Sequence, residues 1–241
     1  MPRFFLDENS IEGDIITVRG GDAVHIGRSL RMKPGDRLTF CRQGMDFESV
    51  IESFTAETVV CRVEKKLPSK SEPRLRLSVF QGYPKGDKAE LIVQKCTELG
   101  AAEVVFFLSS RCVARPDVKS GERRIERLRK IALEAAKQSG RGAVPEIRGI
   151  ISFEEAVKCL GKKDISLICY ENGGGRLGAF PFESAGSCGV MIGAEGGFDR
   201  AEVEAAVNGG ASAVWLGERI LRCETAPLAV TSVIMNLAGE F

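Results

Sequence analysis

After Pro73 the sequence adopts a rhythm that few folds accept: short, continuous apolar runs separated by stretches of helical periodicity. The runs are Leu75 to Phe80, Glu103 to Leu108, Ile165 to Cys169, Cys188 to Ile192 and Ser212 to Leu216. Strands covered on both faces read this way, and intervening helices are the crossovers that parallel strands require. An α/β domain with a parallel sheet is expected over 74–241. Its first helix is expected to start at Asp87, with Glu90 three residues on as in a capping box, to bury Ile92, Cys96 and Leu99, and to stop at Gly100. A second, Glu122 to Lys137, buries Ile125, Leu128, Ala132 and Ala135 and turns a basic face outward. Ser152 and Glu155 form another capping box ahead of Ala156, Val157 and Leu160. The last helix, Leu228 to Ala238, is apolar nearly all round, as helices buried in a fold or against another subunit are.

The amino-terminal part is written differently. Short alternating or β-branched runs (Asp14 to Val18, Arg37 to Cys41, Phe47 to Ser53, Thr58 to Val63) lie between turn residues such as Pro34-Gly35-Asp36, with one helical piece at Asp22 to Leu30. This predicts a small β-barrel-like domain over 1–66. The charged, Pro- and Ser-rich stretch Glu64 to Pro73 reads as a linker. Total charge excludes nothing about partners, because 34 basic and 33 acidic side chains leave +1. The eight cysteines contain no Cys-x-x-Cys pair and mostly sit in apolar runs, so they are expected to be reduced and buried in a cytoplasmic protein. A single histidine, His25, argues against a His-based zinc site and for metal-free chemistry. No signal peptide or membrane-spanning run is evident.

Chemistry concentrates at two strand ends. In the first, Gly193-Ala194-Glu195-Gly196-Gly197-Phe198-Asp199 follows an apolar strand; the glycines remove side chains that would keep a ligand off the backbone, and Asp199 can cap a helix. In the second, Leu216-Gly217-Glu218-Arg219-Ile220-Leu221-Arg222 leads into Glu224-Thr225-Ala226-Pro227, with proline tolerated in a first helical turn. Gly-x-Glu-Gly-Gly is neither a dinucleotide fingerprint nor a Walker A loop, and alone it is as consistent with a tight turn as with a ligand site. Glu195 tips this toward function, since a carboxylate among glycines needs donors or a ligand hydroxyl. The arginines Arg219 and Arg222 lie at a strand end, where α/β sheets form sites. Gly173-Gly174-Gly175 reads as a flexible loop. Between Arg111 and Arg141 stand ten Lys or Arg against four acids, an excess suited equally to a phosphate backbone and to a solvated helix face. Gln138-Ser139-Gly140-Arg141 adds groups able to bond a base or a phosphate. An enzyme and a non-catalytic RNA-binding factor both remain open on these grounds.

Several of these motifs, in order, resemble the RsmE family: Gly193 to Phe198, Leu216 to Ala226, Lys85-Gly86-Asp87 with Gln94 to Gly100, and Gln138 to Arg141, with Pro2-Arg3-Phe4 and His25 to Asp36 similar to its opening domain. These are SPOUT-class methyltransferases that modify N3 of uridine 1498 in bacterial small-subunit ribosomal RNA. The chain departs from the family at Ala194, usually proline, and Cys223, usually threonine. The resemblance implies a trefoil-knotted parallel-sheet domain preceded by a small PUA-like β-barrel domain, S-adenosylmethionine in the knot loops, a homodimer, and the small ribosomal subunit as partner. Related knotted enzymes act on transfer RNA or on ribose 2′-hydroxyls. Carried over by position, the cofactor contacts are Leu167, Glu171, Gly193, Glu195, Gly196, Gly197, Leu216, Gly217, Ile220, Leu221 and Arg222. The catalytic candidates are Arg222 or Arg219, then Arg141, as guanidinium groups that stabilise a uracil anion. RNA contacts are expected from Arg3, Arg28, Arg31, Lys85, Arg111, Gln138, Ser139 and Arg141, and no metal is implied.

Overall fold

The structure, a computed structural model, describes residues 2–7, 10–55 and 57–241. The chain is mixed α/β and divides into two compact units, Met1–Glu72 with Ala136–Ala143, and Pro73–Ala135 with Val144–Phe241.

The first unit is a six-stranded sheet in the order β1-β4-β5-β6-β3-β2. Its strands are β1 (Arg3–Phe5), β2 (Ile11–Glu12), β3 (Ile15–Arg19), β4 (Arg37–Arg42), β5 (Met45–Phe54) and β6 (Thr58–Pro68). All pairs are antiparallel except β1 with β4. A short helix, α1 (Gly20–Val24), continues as one π-helical turn, His25–Ser29, and buries Ile26 against Phe4, Phe40 and Ile51. The stretch 64–68, expected to be linker, is strand instead. Lys65, Lys66, Leu67 and Pro68 pair with Glu48, Phe47, Asp46 and Met45, so backbone pairing with a long partner overrides an unpromising composition.

The second unit is built on an all-parallel sheet ordered β12-β10-β11-β7-β8-β9. The strands are β7 (Arg76–Gly82), β8 (Glu103–Leu108), β9 (Glu146–Ser152), β10 (Ile165–Cys169), β11 (Ser187–Ile192) and β12 (Ser212–Val214). Alternate residues serve opposite faces. Val79, Val104, Phe106, Leu167 and Val190 pack with α2 (Lys88–Glu98), α3 (Val118–Ser139) and α6 (Thr225–Leu237). Phe80, Val105, Phe107, Ile168 and Met191 pack with α4 (Phe153–Leu160) and α5 (Arg200–Asn208). Strand β9 escaped the sequence reading, because Arg148 and Gly149 interrupt its apolar run. Asp199 caps its helix as expected and closes a box with Glu202, and the capping box expected at Ser152/Glu155 forms. The one at Asp87 does not: that residue has φ −95° and ψ 5° and makes no side-chain cap, and Glu90 accepts from Arg127 at 2.9 Å instead. The triple-glycine loop is not loose either. Gly175 bridges to Val214, and a Cβ on Gly174 would lie 2.7 Å from the backbone of Ala213.

A polar knot closes the amino-terminal edge of this sheet. Glu103 accepts from Ser78 (2.6 Å), Arg148 (3.2 Å) and Lys163 (3.3 Å). Burial alone would push its carboxyl up, but these donors outweigh it and hold the pKa below its ordinary value of 4.5. A depressed folded pKa contributes stability above the unfolded value and loses it as pH falls through the folded one. Glu103→Gln is therefore expected to be less stable than the wild type at neutral pH. Thermal unfolding across a pH series should show that gap closing below about pH 4.5.

Candidate active site

At the carboxyl ends of β10, β11 and β12 the chain leaves a cavity of about 510 Å³. Strand order reverses beside it, since β8 and β9 lie on one side of β7 and β10 to β12 on the other, and crevices form where connections diverge in this way. Three segments line it: Cys169 to Glu171 after β10, Ile192 to Phe198 after β11, and Trp215 to Glu224 after β12, with Lys88 of α2 and Ala226 of α6.

The loop after β11 is packed backbone to backbone. A Cβ on Gly193 would sit 2.8 Å from Gly197 Cα, one on Gly196 would sit 2.9 Å from Arg111 Cβ, and one on Gly82 of β7 would sit 2.5 Å from Ala194 N. These glycines are thus required by the loop's own protein neighbours, whereas the sequence reading credited them with clearing room for a ligand. Gly197 takes φ +63°, and its amide donates to Ala194 O at 3.0 Å. Buried Gln81 donates from Nε2 to Gly193 O (3.0 Å), and Arg111 donates to Gly196 O (3.1 Å). Phe198 ends the loop by stacking on Phe107, centroids 6.2 Å apart at 5°.

Charge in the cavity is mixed. Glu195 accepts from the Lys85 amide (3.1 Å) and from Lys88 Nζ (2.8 Å), the donors its setting calls for. Burial pushes the Glu195 carboxyl up, but Lys88 and the backbone amides prevail and its pKa lies below 4.5. Glu224 is likewise lowered, burial being outweighed by hydrogen bonds and by Lys88. Lys88 is raised, chiefly by its hydrogen bond to Glu195. Two cysteines stand in the wall, Cys169 and Cys223, and burial pushes both thiols up to about 12.

The residues singled out from the sequence divide into two groups. Glu171, Gly193, Glu195, Gly196, Gly197, Leu216, Gly217, Arg219, Ile220, Leu221 and Arg222 all line the cavity. Arg219 and Arg222 are exposed, and Ile220 is 85% exposed. Leu167 does not line it; the side chain is wholly buried in the sheet core. Arg141, the third catalytic candidate, is 4% exposed and held by Glu72 through two 2.8 Å bonds, with Gly142 N donating to the same carboxylate. That makes it a structural pair of the first unit. Arg3 is similarly committed, to Asp46 at 2.7 Å and Ser69 at 3.2 Å. Arg28, Arg31, Lys85, Arg111 and Gln138 are exposed, Arg31 with φ +53°, and Ser139 is half-buried with interactions of its own. Lys88 and Trp215 also line the cavity, and no local motif marks them. Among the described residues no cluster of metal-ligating side chains occurs, and no helix is long and apolar enough to cross a membrane.

A glycine-rich crevice at the ends of a parallel sheet, flanked by arginines, is the arrangement of a small-molecule-dependent enzyme. The profile of the RNA methyltransferase domain family matches residues 70–235. Ribosomal RNA small subunit methyltransferase E of Bacillus subtilis is 34% identical over 97% of this chain and 96% of its own. The protein of that name from Mycobacterium tuberculosis is 29% identical over 99% and 92%. The crystal structure of ribosomal RNA small subunit methyltransferase E from Neisseria gonorrhoeae, bound to S-adenosyl methionine, superposes with a TM-score of 0.85 at 29% identity over 98% of both chains. The chain belongs to the ribosomal RNA small subunit methyltransferase E family.

Three substitutions test these placements. Gly193→Ala forces a methyl group against Gly197 and should cost roughly 1–3 kcal/mol, seen as a fall of several degrees in thermal unfolding; Gly178→Ala, with open space around it, should leave the midpoint unchanged. Arg141→Met strands Glu72 and is expected to cost about 3 kcal/mol in denaturant unfolding.

Proposed function

We propose that this chain transfers a methyl group from S-adenosylmethionine to N3 of a uridine in small-subunit 16S ribosomal RNA, and that the cavity after β10, β11 and β12 is the donor site. The observation that carries this reading is the convergence of three peptide-lined segments with both signs of charge in a cavity of about 510 Å³, a size within the ordinary range for small-molecule sites. A zwitterionic nucleoside fits such a lining. Glu171 and Glu195 suit its amino and hydroxyl groups, Leu216, Ile220 and Leu221 its apolar ring, and the backbone of Gly193, Gly196, Gly197 and Gly217 its close approach. S-adenosylmethionine supplies, when bound, an electrophilic methyl group on a sulfonium sulfur.

The chain's own part in the chemistry is positioning and charge. Uracil N3 must lose its proton to attack, and the negative charge then spreads onto O2 and O4. The exposed guanidinium groups of Arg222 and Arg219, at the cavity rim, would hold that charge. Arg141 is left out of this assignment because Glu72 already occupies it. Arg28, Arg31, Lys85, Arg111 and Gln138 would contact phosphate and base groups of the RNA, giving an affinity that falls with salt. The family resemblance further supports a trefoil knot in the second unit, a PUA-like role for the first, a homodimer, and work in the cytoplasm on the small ribosomal subunit.

Labelled methyl transfer to small subunits lacking the modification, followed by mass-spectrometric mapping, is expected to place the methyl on a uridine N3; a mark on transfer RNA or on a ribose hydroxyl would overturn the substrate assignment. Arg222→Ala should lower methyl transfer by roughly 100-fold or more while calorimetric affinity for S-adenosylmethionine changes little. Equal losses in both would refute the role given to Arg222.

A further inference from the structure

Lys88 begins α2, immediately after the loop that leaves β7, and its side chain reaches two of the three segments that line the cavity. Its Nζ lies 2.8 Å from Glu195 Oε1, in the loop after β11, and 3.5 Å from Glu224 Oε2, at the residue that precedes α6. The Cys223 thiol is 3.7 Å away. Two carboxylates from segments 29 residues apart (224 less 195) therefore converge on one ammonium. Without it they would face each other as like charges, and among the described residues no other cation pairs with both.

We propose that Lys88 is the positioning residue of the donor site, an electrostatic tether that draws the loop after β11 and the segment before α6 together and sets the cavity's width. This rests on the reading of the cavity as the S-adenosylmethionine site. Partly exposed pairs contribute little to the stability of a whole domain; the side chain of Lys88 is 33% exposed and those of Glu195 and Glu224 are 26% and 17%. The consequence of losing Lys88 thus falls on loop placement, with the fold left standing. The hydrogen bond to Glu195 keeps Lys88 an ammonium, so it is no acceptor for the uracil N3 proton.

Hydrogen–deuterium exchange on the unliganded protein tests the tether without any cofactor. In Lys88→Met, amides within 193–198 and 216–224 are expected to exchange about tenfold faster than in the wild type, while β7 and β8 stay unchanged. By calorimetry S-adenosylmethionine should bind roughly tenfold more weakly, and KM for the donor should rise by a similar factor with kcat nearly constant. Lys88→Arg, which keeps the charge and the reach, should recover most of the affinity. Unaltered exchange together with wild-type affinity in Lys88→Met overturns the proposal, as does a fall in kcat at constant KM. Should circular dichroism find Lys88→Met unfolded, Glu195→Gln decides: faster exchange in 193–198 with weaker binding supports the tether, and wild-type behaviour overturns it. If the wild type itself does not bind S-adenosylmethionine, the donor-site reading fails, and the exchange measurement still judges the tether.

Discussion

The absence of a methyl group at Gly82 shapes the cavity end of the second unit. Its Cβ would fall 2.5 Å from the amide of Ala194, so β7 and the loop leaving β11 meet through bare backbone. Contact this close aligns Gln81 to hold the Gly193 carbonyl and leaves Gly193 against Gly197. The loop is thus held by contacts within the protein. The parallel sheet supplies the rest: β7 and β11 are central and covered on both faces, and such strands deliver their loops to one edge only.

Electrostatics in this chain is mostly local. The basic stretch 111–141 suits in sequence a phosphate backbone and a solvated helix face equally, and in the structure many of its cations are engaged. Arg115 holds the carbonyls of Ser109 and Ser110, Arg124 that of Gly86, and Arg129 that of Ile147, while Arg127 pairs with Glu90. Arg111 grips Gly196 and so braces the cavity loop from behind. Such residues retain their field at long range while their donors are partly occupied, so total charge overstates what a phosphate would find.

What the sequence discloses and what it hides follow from the range of the forces involved. Continuous apolar runs reveal β7, β8, β10, β11 and β12 because burial on both faces demands them, and the box at Ser152 and the cap at Asp199 are legible because they close within three residues. Strand β9 and the outer half of β6 are held by backbone pairing with neighbours, which leaves no mark on composition. The cavity-lining segments were visible through their glycines and arginines, though the reason for the glycines was not. Lys88 and Arg141 show the limit most plainly. One is an unremarkable lysine whose partners stand 107 and 136 residues downstream, the other a basic residue in a promising motif whose partner is 69 residues upstream.

The two thiols in the cavity wall bear on the hazard of the chemistry itself. A sulfonium methyl donor is an alkylating agent, and the sulfur nucleophile it would attack is the thiolate, not the thiol. Burial pushes Cys169 and Cys223 up to about 12, so at neutral pH both keep their protons. In the proposed donor site, thiols that keep their protons are poor nucleophiles toward a sulfonium methyl group.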